Sequence, residues 1–73
     1  MNELSKEMEF FIFLLNHYAA YKNTTADKIL KELDDKKLTD FVFQMYEMYH
    51  SETLMNAFQD IDSLLRTGKP AAW

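Results

Sequence analysis

Seventy-three residues specify a single domain, and a domain of that size is marginal because much of its surface stays exposed to water. With no cysteine, one glycine and one proline, the chain has no disulfide, no thiolate metal site and little turn chemistry for a hairpin-rich β fold. A hydrophobic content of 48% argues against disorder, and a net charge of −4 repels phosphate backbones and suits a protein partner.

The first segment runs from about Glu3 to Lys22. Leu4, Met8, Phe11, Leu15 and Tyr18 recur at helical spacing, and Phe10, Phe13, Leu14, His17 and Tyr21 form a second line beside them. Such a helix is apolar on nearly every face, so it must be central or must meet another chain. Its longest apolar run, Phe10 to Leu15, is far short of the roughly 20 residues a membrane span needs, and neither a signal peptide nor a membrane location is expected.

The second segment opens on Thr24, a suitable N-cap with Asp27 three residues on, and carries Ala26, Ile29, Leu30 and Leu33 as its stripe. Lys36 and Lys37 suit its C-terminus, where backbone carbonyls carry partial negative charge. The third segment opens on Thr39 as cap and continues through Phe41, Val42, Met45, Tyr46, Met48 and Tyr49. In the fourth, Ser51 is the expected N-cap and Leu54, Ala57, Phe58, Ile61 and Leu65 form the stripe. Gly68 stops it, with Pro70 two residues beyond. The reading is all-α: a compact bundle of about four short helices with helix one central, a single domain over 1–68 and a short tail over 69–73.

Several residues carry chemistry. His50, Ser51 and Glu52 are the residue types of a hydrolytic triad, but sequence neighbours rarely converge in space and no Gly-x-Ser-x-Gly elbow is present. His50 is read as closing one helix and Ser51 as opening the next. Glu47-x-x-His50 has the helical spacing of a di-iron bundle ligand pair. One chain supplies one such pair; a dimer would bring a second, with Glu7 or Glu9 as further ligands. Asp60 and Asp62 flank Ile61 and read as a solvated pair, since no calcium-loop spacing surrounds them. The lysines around helix two alternate with acids and form a solvated face. Helix three carries no Arg or Lys, which argues against a DNA-reading helix pair.

The surplus is apolar. Four short helices cannot hide every Met and aromatic side chain, and such residues are typical of adaptable protein interfaces. The interface is therefore expected on Phe10, Phe13, Leu14, His17 and Tyr21, with Trp73 either folded back over the core or offered to a partner.

Glu9-Phe10-Phe11-Ile12-Phe13, Asp40-Phe41-Val42, Tyr46-Glu47-x-Tyr49-His50-Ser51 and above all Asp60-Ile61-Asp62, in that order, resemble the DUF3791 family of small bacterial domains. Many members of that family carry a Thr-Gly-like loop after the histidine, where this chain departs with Ser51-Glu52-Thr53-Leu54. The resemblance implies a small, non-catalytic, cytoplasmic bacterial protein, similar to an antitoxin or to the accessory partner of a toxin-like protein from a neighbouring gene. The expectation is a homodimeric protein-binding module that is not an enzyme and needs no cofactor. The alternative is a metal-binding helical protein using the Glu47/His50 pair across a dimer.

Overall fold

A computed structural model describes residues 5–71. Those residues form five helices and no strand: α1 (Lys6–Tyr21), α2 (Ala26–Asp35), α3 (Thr39–Gln44), α4 (Tyr46–His50) and α5 (Leu54–Thr67). The all-α reading holds, with one more helix than the periodicity predicts. The extra helix arises because the third segment breaks at Met45, where φ −82 and ψ 14 leave the helical region. No glycine or proline marks this break. It redirects the chain, since α3 packs on α1 and α2 while α4 packs on α1 and α5.

α1 starts on a cap that the periodicity does not reveal. The Ser5 hydroxyl accepts the Met8 N–H at 3.1 Å, and Glu7 and Glu9 place negative charge at the positive helix end. At the other end Asn23 turns left-handed at φ 59. The Thr24 N–H then reaches the Ala19 carbonyl at 2.8 Å, and the Asn23 N–H reaches that of Ala20 at 3.1 Å. Together they make a Schellman turn. That turn occupies Thr24, so the N-cap of α2 is Thr25, which accepts from the Lys28 N–H. The expected cap at Thr24 is thus displaced by one residue.

The same device ends α2. Lys37 is left-handed at φ 60, and the Leu38 N–H bonds the Leu33 carbonyl at 2.8 Å. Leu38 also packs against the core and serves as the N-cap residue of α3. Thr39 is therefore pushed inside α3, and its hydroxyl donates to the Asp34 carboxylate instead of capping. Ser51 is likewise not an N-cap. Its hydroxyl donates backwards to the Glu47 and Met48 carbonyls at 2.9 and 3.1 Å, closing α4, and α5 begins after Thr53. Gly68 ends α5 as expected, with φ 82, a conformation that costs a side-chain-bearing residue about 1–2 kcal/mol.

α1 is central, as expected. Phe11, Leu14, Leu15, Tyr18 and Ala19 form its buried line. Ile29 and Leu33 of α2, Val42 of α3, Tyr49 of α4, and Ala57, Phe58, Ile61 and Leu64 of α5 complete the core. Among the described residues no helix is long and apolar enough to cross a membrane.

Candidate interaction surface

α1 and α4 together display an aromatic face. Phe10 sits between Phe13 (ring centroids 6.1 Å apart), Tyr46 (5.7 Å) and His50 (6.3 Å). Phe13 in turn lies 4.2 Å from the His17 ring, and Tyr46 stacks on His50 at 4.1 Å with the planes almost parallel. Phe13, His17 and His50 are exposed, and Phe10 and Tyr46 are half-buried. Five rings from two helices thus form one connected surface open to solvent.

The structure divides the other residues expected here. Leu14 is a correction: at 1% exposure it belongs to the core and cannot form part of the outer face. It sits on α1 between the outer line and the buried line, and α1 turns it inward. Tyr21 is exposed but stacks on Phe58 of α5 at 5.0 Å, at the far end of α1. Trp73 lies outside the described residues. Tyr46 and His50 are additions to the face; they stand four residues apart in the sequence, but their placement beside Phe10 depends on the break at Met45.

His50 and Ser51 each turn to backbone carbonyls of α4 and not to one another. The His50 Nδ1 is 2.6 Å from the Tyr46 carbonyl, and Ser51 is committed to the two carbonyls named above. As the carbonyl can only accept, Nδ1 carries the proton and donates, and the lone pair of the neutral ring is on Nε2. Among the described residues no group of three or more His, Asp and Glu side chains gathers.

Asp60 and Asp62, against the expectation, are not a solvated pair. Asp60 is 5% exposed, and its Oδ1 accepts the Ala71 N–H at 3.2 Å. Ser63 donates to the Lys69 carbonyl at 2.6 Å, so the tail after Gly68 is held back along α5. Asp62 points the other way. It accepts from the Tyr18 hydroxyl and pairs with Lys22 at 3.3 Å, tying α5 to the C-terminal half of α1. The two carboxylates do diverge, as helical geometry requires, and each therefore serves a different neighbour.

The family model described as Protein of unknown function (DUF3791) matches residues 9–67. The chain belongs to this family. All five rings of the DUF3791 chain's aromatic face lie inside the match, as do Asp60 and Asp62; the Lys69 and Ala71 contacts lie beyond it. No curated protein and no solved structure matches the chain.

Both buried phenols of this DUF3791 chain lie beside one of those carboxylates. Burial raises the pKa of Tyr18, and the hydrogen bond to Asp62 and its negative charge raise it further. Burial also raises that of Tyr49, whose hydroxyl has no hydrogen-bond partner of good geometry but feels the charge of Asp60. A raised pKa means that the folded chain holds these protons more tightly than the unfolded chain does. The stabilisation is fully present below the ordinary tyrosine value of 10.0 and is lost as pH rises above it. Urea midpoints followed by circular dichroism should therefore hold level up to about pH 9 and fall beyond about pH 10, by at most about 1.4 kcal/mol per pH unit for each tyrosine. A Tyr18→Phe/Tyr49→Phe chain should flatten that fall; an equal fall in the double variant would contradict the assignment.

Proposed function

We propose that this DUF3791 chain is a small, non-catalytic protein–protein interaction module that self-associates through the face of Phe10, Phe13, His17, Tyr46 and His50. The observation that carries the reading is the exposure of connected rings on a domain too small to cover them. Burying one large apolar side chain contributes about 1.5–3 kcal/mol, so a second copy laid over Phe10 and Phe13 gains substantially. Aromatic rings and histidine supply contact area at low entropic cost. In the cell the module acts as an antitoxin-like or accessory partner of a toxin-like protein. That role rests on the resemblance to small bacterial proteins encoded beside toxin-like genes, as does a cytoplasmic setting.

Phe13 is 44% exposed, so a charge there disturbs the outer face and not the core. Phe13→Glu should lower the mass seen by light scattering to that of one chain while helicity stays as in the parent. An unchanged mass with unchanged helicity would assign self-association to another surface.

One observation favours a second reading. With its Nδ1–H donated to the Tyr46 carbonyl, His50 has the fixed ring orientation and tautomer found in metal-ligating histidines. Glu47 lies one turn earlier and is exposed. A dimer would bring two Glu47/His50 pairs within reach of one ion. Elemental analysis of untagged, self-associated protein tests this reading: stoichiometric iron, manganese or zinc, lost in His50→Ala, supports it, and metal far below one per dimer contradicts it.

A further inference from the structure

A second apolar surface lies on the other side of α1. Phe11 and Leu15 floor a groove between α1 and α2, and Met8, Ile12, Ala26 and Leu30 wall it, enclosing about 450 Å³. Met8 and Phe11 also line an adjoining hollow of 230 Å³ against Phe43, Thr39 and Asp40 of α3, so the two run together. Ile12 stands 43% exposed on the lip. From Met8 to Leu15 the groove follows about 10 Å of helix axis, the length of two turns of a docked helix.

The rim is acidic. Asp27 on α2 and Asp40 on α3 are the charged residues lining the two openings, and exposed Glu9 stands one turn before Ile12 on the same edge of α1. Of the lysines on this side, Lys31 pairs with Asp35 at 3.4 Å, Lys37 lines a separate hollow with Asp34 and Asp40, and exposed Lys28 follows Asp27 without lining either opening. A second copy offering the same groove would bring like charges face to face.

We infer that this groove binds an amphipathic helix of a partner protein, with aliphatic side chains at i, i+3/i+4 and i+7 entering between α1 and α2 and Lys or Arg on its flanks meeting Asp27, Asp40 and Glu9. Binding follows the helix-in-groove mode. The inference rests on the reading of the chain as an interaction module, but it uses a surface that the Phe10–Phe13 face does not share.

The probe is a labelled synthetic 14-residue helix with leucines on one face and lysines on its flanks, followed by fluorescence anisotropy with the full chain. Two controls replace its lysines by glutamate, or its leucines by serine. The leucine–lysine helix should bind at least about tenfold more tightly than either control. Asp27→Asn/Asp40→Asn and Ile12→Ser, all at accessible positions, should each weaken it about tenfold while helicity is kept. Amide shifts should move at Met8, Ile12 and Leu30. Phe13→Glu, which tests self-association, should leave this binding within about threefold. Equal binding of the serine control would show bulk charge attraction, and no binding of any helix would show no groove ligand of this kind; either overturns the inference. A groove substitution that lowers the mass of the protein itself would give the groove to a second copy and also overturn it. Loss of self-association in Phe13→Glu with the helix still bound separates the two surfaces.

Discussion

The structure is governed by one excess: α1 carries apolar side chains on more of its circumference than four short helices can cover. Its buried line (Phe11, Leu14, Leu15 and Tyr18) forms the centre of the core: α1 packs on α2, α3 and α4, and Tyr18 reaches Phe58 of α5. That leaves two flanks. On one, Ile12 and Met8 look over a groove that α2 and α3 do not close. On the other, Phe10 and Phe13 gather Tyr46 and His50 beside them. A polar outer face would make α1 an ordinary bundle helix; the aromatic residues on one flank and the aliphatic ones on the other give the domain its two candidate contact surfaces.

Beyond the apolar core, α5 is fastened to α1 by polar links at the end opposite the cap of α1. Asp62 takes the Tyr18 hydroxyl and the Lys22 ammonium, so α5 is anchored to α1 by a charge-assisted pair at the edge of an otherwise apolar contact. Asp60, almost fully buried, holds the returning tail through the Ala71 N–H. A buried carboxylate is costly unless it is bonded, and here the Ala71 N–H supplies that bond while drawing the tail back along α5. The acidic pair that reads most strongly as family-like is thus accounted for by the assembly of α1, α5 and the tail.

Most of the fold is legible in the sequence because helical periodicity and the Gly68 stop are local signals. The errors at helix starts share one cause. A Schellman turn consumes the residue beyond the helix it closes, so Thr24 and Leu38 are already engaged when the next helix opens, and the cap moves to Thr25 or passes Thr39 by. Ser51 serves the helix behind it for a similar reason: two exposed carbonyls of α4 lie within reach of its hydroxyl. The Met45 break has no sequence mark, and without it the neighbourhood of Phe10, Tyr46 and His50 is not visible. The burial of Asp60 and the partners of Asp62 are equally non-local, since they depend on where the tail and α1 come to lie. Leu14 reads as an outer residue because two apolar lines on one helix cannot be ranked until the partners of each are known.

The most direct test of the account is the mass of the unmodified chain, measured by sedimentation velocity over a wide range of concentration. Uncovered aromatic surface on α1 and α4 predicts a reversible shift from one chain to two as concentration rises. A species of one chain at every concentration would contradict self-association through that face.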